Sequence, residues 1–148
     1  MKWILIIVSM FFISCNNPFL LNVQDYHIND MPLDDAWKIV SSYKYIEDGL
    51  NDWKSPNEFI KNGGGDCKDF CTYMLYLLGP DASIIVVHFP FSKNMHAIVY
   101  YHGQYIEPQA YNEFYPEYII KMYFIEEYSY YKIMFNVTGA GTRDIIWK

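Results

Sequence analysis

"GGGDCKDFC", Gly63 to Cys71, places three glycines, two aspartates and two of the chain's three cysteines in nine residues. The glycines break whatever precedes them. Asp66 stands where a helix N-cap belongs, and Asp69, three residues on, completes the pattern of a capping box. The run that follows, "CKDFCTYMLYLL" (67–78), carries apolar side chains at 67, 70, 71, 74, 77 and 78, the spacing of one helix stripe. Gly79 and Pro80 end it. A helix is therefore expected from Cys67 to Leu78. At its mouth, free backbone N–H groups and the positive end of the helix dipole favour a thiolate at Cys67. Cys71 lies one turn deeper on the same stripe and reads as a small core residue. A bridge between the two is permitted by their separation, but side-chain directions at this spacing make it uncommon.

A thiol at a helix start needs a base before it can do chemistry, so the four histidines matter. His27 lies in the polar N-terminal segment and His102 in a turn. His88 sits in "ASIIVVHFPF" (82–91), a continuous apolar run that reads as a buried strand. His96 opens "MHAIVYY" (95–101), which His102-Gly103 separates from "QYIE" (104–107), a two-residue hairpin signal. In a tight hairpin Tyr101 faces Gln104, Tyr100 faces Tyr105 and Ile98 faces Glu107. His96, Ile98, Tyr100 and Glu107 then share one sheet face, with Glu107 the diagonal neighbour of His96 and Gln109 its direct partner if pairing survives Pro108. Packing that face on the Cys67 helix would bring together a thiol, a base and an orienting acid.

Two stretches, "WKSPNEFIKNGGGDCKDFCTYMLYLLG" (53–79) and "MHAIVYYHGQYIEP" (95–108), resemble the transglutaminase-like cysteine peptidases of bacteria. The matching positions are Trp53, Pro56, Gly65, Asp66, Cys67, Asp69, His96 and Glu107. Glu107 stands where that family usually has Asp, and Cys71 where a small residue such as Ala is common. The resemblance implies an α+β, papain/transglutaminase-like fold, with the nucleophile helix packed on an antiparallel β-sheet. It implies a catalytic set of Cys67, His96 and Glu107, hydrolysing an amide bond or passing the acyl group to an amine, with no cofactor and no metal. The Cys67 amide would form part of an oxyanion hole, with Trp53 and Asn62 as candidates for the second donor. Asp66 and Asp69 read first as structural caps. A non-catalytic peptide or cell-wall binding module on the same fold is the alternative. A metal site built from Cys67, Cys71 and a histidine is a third reading, although C-x3-C is not a usual zinc spacing.

The rest of the chain sets the context. It has 148 residues, a length that suits one compact domain, and a formal net charge of -6, which argues against a nucleic-acid groove. "MKWILIIVSMFFISC" has the layout of a secretory signal, with Lys2 before a short apolar run and Ser14-Cys15 at its end. It resembles a bacterial lipoprotein signal, so residues 1–14 are expected to be removed, Cys15 lipidated, 15–30 a tether and 31–148 the domain; an uncleaved anchor helix is the alternative. The expected location is the bacterial cell envelope, extracytoplasmic and lipid-anchored. The expected partners are the membrane, through that lipid, and a peptide or protein substrate, peptidoglycan peptides among them; a monomer is expected. "MPLDDAWKIVSSYKYI" (31–46) reads as a helix after Pro32 with Leu33, Ala36, Trp37 and Val40 on one side. "PEYIIKMYF" (116–124) reads as a short helix, "YSYYKIMFNV" (128–137) as a strand, and "GAGTRDIIWK" (139–148) as a turn and a last edge strand. The tyrosine-rich stretch from Tyr111 to Tyr131 reads first as rings covering a small core, with the lining of a substrate cleft as the alternative. If Cys15 carries the lipid, Cys15→Ser should release the protein from the membrane fraction or block its processing. Unchanged retention with an unmodified Cys15 would defeat the lipoprotein reading.

Overall fold

A computed structural model describes residues 31–49, 52–129 and 132–133. The expected signal peptide and tether, with Cys15 and His27, lie outside the described residues, as does the edge strand expected over 139–148. Helix α1, Leu33–Ser41, follows Pro32 and buries Ala36, Trp37 and Val40, three of the four positions expected on its inner side; Leu33 is only half-buried. Helix α2, Pro56–Asn62, was not anticipated, although its start signal is explicit in the sequence. The Ser55 hydroxyl accepts the Glu58 amide, the Glu58 carboxylate accepts the Ser55 amide at 2.8 Å, and Pro56 fills the first helical position.

Helix α3, Cys67–Leu78, has the expected bounds. Its burial is not a single stripe. Lys68, Asp69, Thr72, Tyr73 and Leu75 are buried along with the apolar positions. The reason is that α1 and α2 cover the side a one-sheet packing would leave open. Phe59 of α2 meets Phe70 and Tyr73 of α3 at ring separations of 5.0 and 5.1 Å. A helix enclosed on all sides contributes much of the core. Phe70, Met74, Leu75 and Leu78 are each almost fully buried, and each such side chain contributes roughly 1.5–3 kcal/mol.

Strand β3, Ala82–Val87, is buried throughout. It does not extend through His88 as expected. The His88 amide bonds to the Tyr123 carbonyl, and its side chain is exposed; Pro90, just beyond, has no amide to give a ladder. Strands β4, His96–Tyr101, and β5, Gln104–Ile106, form the expected hairpin. His102 and Gly103 both have positive φ, 47° and 85°, the geometry of the tight hairpin turn. The register pairs Tyr101 with Gln104, Tyr100 with Tyr105 and Val99 with Ile106, and the ladder stops there. Strand β6, Phe114–Tyr115, pairs with β5. Helix α4, Glu117–Tyr123, leads into β7, Phe124–Ser129, so this strand comes earlier than the one read over 128–137. The sheet order is β6-β5-β4-β3-β7, antiparallel at every pair. Among the described residues no helix is long and apolar enough to cross a membrane.

Two short segments, β1 (Lys44–Tyr45) and β2 (Gly64–Gly65), form a separate parallel pair just ahead of α3. At Gly64 φ is 145°, and a Cβ there would overlap the Lys44 carbonyl. A Cβ at Gly65 would collide with the Asp69 side chain. The glycine run is therefore what lets the chain pass between β1 and the helix mouth.

One expectation about the sheet is corrected. Helix α3 packs on the face that carries Ile84, Val86, Ala97 and Val99. The face carrying Ile98 and Tyr100 packs instead with Ile120 of α4. The face that was to meet the nucleophile helix thus looks away from it, because alternation in β4 gives the small and branched Ala97 and Val99 to the α3 side.

Candidate active site

Cys67 and His96 still meet, but at the end of the sheet. Cys67 is the first residue of α3 and His96 the first of β4. The thiol is within side-chain hydrogen-bonding reach of the imidazole. His96 Nε2 lies 2.6 Å from Glu107 Oε2, which leaves Nδ1 for the sulfur. Among the residues read from the sequence, Cys67, His96 and Glu107 are brought together. Gln109 is not placed as an alternative orienter: its contribution is its backbone N–H, which donates to Glu107 Oε1 at 3.2 Å.

Glu107 is held by more than the histidine. The Tyr115 hydroxyl donates to Oε2 at 2.9 Å, and the indole N–H of Trp37 donates to the Glu107 carbonyl at 2.8 Å. Its own amide donates to the Glu113 carbonyl at 3.0 Å, so the turn after β5 closes around it. Neither Trp37 nor Tyr115 was marked as a site residue by sequence reasoning. Trp37 was legible only as a core position, and Tyr115 as one ring in a tyrosine-rich stretch. Phe89 and Tyr115 wall the imidazole, each with its ring centre 6.4 Å from it.

The electrostatics follow from this enclosure. Burial pulls the His96 pKa down, but the hydrogen bonds to Cys67 and Glu107 and their negative charges outweigh it and raise it to about 10. Burial pushes the Cys71 thiol well above its ordinary range, and the charge near Cys67 adds to this. Cys71 is fully buried in the α3 core while Cys67 is partly exposed, and both are free thiols. Burial also raises the Tyr45 phenol, with the charge on Cys67 next, which puts that exposed ring within electrostatic reach of the sulfur. A cavity of about 420 Å³ lined by Ile85, Tyr100, Ile120 and Phe124 lies on the other face of the sheet and holds none of these groups.

Asp66 and Asp69 cap α3. The Asp66 carboxylate accepts the Lys68 amide at 3.2 Å, and the Asp69 carboxylate accepts the Asp66 amide at 3.1 Å. Asp69 also accepts the Lys54 amide at 2.9 Å, which fixes the backbone beside Trp53. Trp53 and Cys67 both pack, partly buried, against the same core cluster. Asn62, the other oxyanion candidate, is exposed at the last residue of α2. Two lysines overlooked in the sequence complete the mouth. Lys68 pairs with Asp48 and Asp66, and Lys54 with Asp48 and Asp69. Burial raises the Asp66 carboxyl above its ordinary value; the Lys68 hydrogen bond pulls it down by less, and the Asp69 charge adds to the rise.

The fold and the arrangement of its elements define an α+β protein of the papain/transglutaminase-like class. Solved structures of LapG from Legionella pneumophila share that fold. The calcium-bound form matches with a TM-score of 0.51 at 21% identity, over 59% of this chain and 57% of LapG. A second LapG structure matches with the same TM-score and identity, over 59% of this chain and 56% of its own. This chain therefore matches somewhat more than half the length of LapG, and at this identity the likeness establishes the fold alone. No protein-family model matches the sequence, and no curated protein does.

Among the described residues, Asp48, Asp66 and Asp69 form a group that could offer three oxygens to a metal, all within 4.8 Å of one another. The ammonium groups of Lys54 and Lys68 already lie among those oxygens. As built, the donor set suits two lysines and does not suit a divalent cation.

The raised His96 pKa gives a direct test. In ¹⁵N NMR the His96 ring should remain a doubly protonated imidazolium at neutral pH and lose its proton as pH rises through about 10. Glu107→Gln removes a negative partner, so its midpoint should fall towards the ordinary histidine value of about 6.5. An unchanged midpoint in Glu107→Gln would contradict the pairing.

Proposed function

We propose that the chain is a cysteine hydrolase or acyl transferase acting on peptide or protein amides at the bacterial cell envelope. The observation that carries this reading is the placement of His96 between the Cys67 thiol and the Glu107 carboxylate at the mouth of a buried helix. The similarity to LapG, a transglutaminase-like cysteine protease, supports the peptidase class. The anchor at Cys15 and the envelope location rest on the N-terminal sequence.

In this scheme His96 already carries the Cys67 proton on Nδ1 at neutral pH, and the sulfur attacks the amide carbonyl to form a C–S bond. The negative charge moves to the carbonyl oxygen, where the free Cys67 amide and a donor near Trp53 receive it; each such donor is worth roughly 10²–10³ in rate. Trp53 is preferred to Asn62, since it packs against the same core as Cys67 while Asn62 is exposed at the end of α2. His96 returns the proton to the departing nitrogen as the C–N bond breaks, leaving a thioester. Water then resolves the thioester to an acid, or an amine resolves it to a new amide, with His96 again taking the proton. Glu107 keeps the Nε2–H tautomer and stabilises the imidazolium.

Glu107→Gln should cut turnover of a peptide amide, or labelling by a thiol-directed activity probe, by about ten-fold or more, because orientation and charge are both lost. Gln109→Glu in that background should recover little. Wild-type rates in Glu107→Gln alongside an inactive Gln109→Ala would move the acid two residues along the chain.

A further inference from the structure

We infer that Lys54 and Lys68 are positioning residues that neutralise the acidic cradle at the mouth of α3 from within the chain, in the place a divalent cation would otherwise take. This rests on the reading of Cys67 as the nucleophile.

Asp48 comes from the segment after β1; Asp66 and Asp69 belong to the start of α3. Asp66 and Asp69 are buried and Asp48 half-buried, so the three carboxylates repel one another in a place that water screens poorly. Lys68 Nζ bridges Asp66 and Asp48, and Lys54 Nζ bridges Asp48 and Asp69, the last contact at 2.9 Å. Each oxygen of Asp48 takes a different lysine. The lysine side chains are only 5% and 12% exposed for Lys68 and Lys54, so these are interior pairs rather than surface ones. A cation bound to the same oxygens would have to displace both ammonium groups or sit against their charge.

The cradle encloses the nucleophile. Asp66 precedes Cys67 and Lys68 follows it, so the Lys68–Asp66 and Lys68–Asp48 pairs fix the backbone on both sides of the thiol. Lys54 and Asp69 tie the backbone next to Trp53 to the same turn. The clamp therefore fixes the backbone that carries the sulfur and the backbone beside Trp53 in a single network.

The test follows melting temperature and the rate of Cys67 alkylation, on the full chain and well below melting, with millimolar calcium as the probe cation and with a chelator. For the wild type, neither calcium nor chelator should move either readout. Lys68→Met should lower the melting temperature by about 5 °C or more and slow alkylation by about ten-fold, since removing one partner strands buried carboxylates. Lys68→Arg should regain most of both. Calcium should raise the melting temperature of Lys68→Met but not of the wild type. Should Lys68→Met fail to fold, Lys54→Met, which empties the other half of the cradle, should show the same pattern. A wild type that melts higher in calcium or loses alkylation in chelator would overturn the inference. So would a lysine variant as stable and as reactive as the wild type, or one that calcium does not stabilise. A wild-type Cys67 that resists alkylation while melting follows the expected pattern would overturn the hydrolase reading and leave the clamp standing.

Discussion

Helix α3 begins inside the protein, and its first turn must satisfy free backbone N–H groups and buried charges at once. Asp66 and Asp69 do this reciprocally, each accepting an amide of the turn, while Lys54 and Lys68 neutralise them. Everything at the site is referred to that turn. It presents Cys67 at the surface while Cys71, one turn on, stays in the core. It also holds Lys54, and with it the Trp53 backbone, against the helix start. Gly64 and Gly65 are constrained as well, because a Cβ at Gly64 would strike Lys44 of β1 and one at Gly65 would strike Asp69 of α3.

The other half of the site depends on how a sheet ends. His96 sits at the first position of β4, the middle strand of the sheet, just before Ala97 turns to the α3 side. Glu107 sits one residue past the last paired position of β5, with its backbone carried off into a turn. A glutamate reaches further than an aspartate but has one more rotatable bond to fix, at a cost in side-chain entropy. The bonds from the Tyr115 hydroxyl and the Gln109 amide to the carboxylate supply that fixing, while the Trp37 indole holds the Glu107 backbone carbonyl. The longer arm and its extra supports belong together.

Local patterns made much of this legible in the sequence. The α3 bounds follow from glycines, caps and periodicity, and the hairpin register follows from His102-Gly103. The diagonal relation of His96 to Glu107 follows from that register. What stayed hidden depends on tertiary contact. The hairpin pattern does not say which sheet face α3 takes, since Ala97-Val99 and Ile98-Tyr100 are both apolar. Burial of Lys68 and Asp69 contradicts the simple stripe, because Lys68 meets Asp48 and Asp69 meets Lys54 only once those residues arrive from other segments. Helix α2 was legible from Ser55, Pro56 and Glu58, but Pro56 was read as a family marker and not as a helix start. Tyr115 was one ring of a tyrosine-rich stretch, and nothing local set it apart from its neighbours.

The central claim is that Cys67, poised at the helix mouth, is activated by His96. It is tested most directly by mass-mapped alkylation of the folded chain at neutral pH. Cys67 should be modified at least about ten-fold faster than Cys71, and His96→Gln should remove most of that advantage. Equal rates at the two thiols, or a Cys67 rate indifferent to His96→Gln, would contradict it.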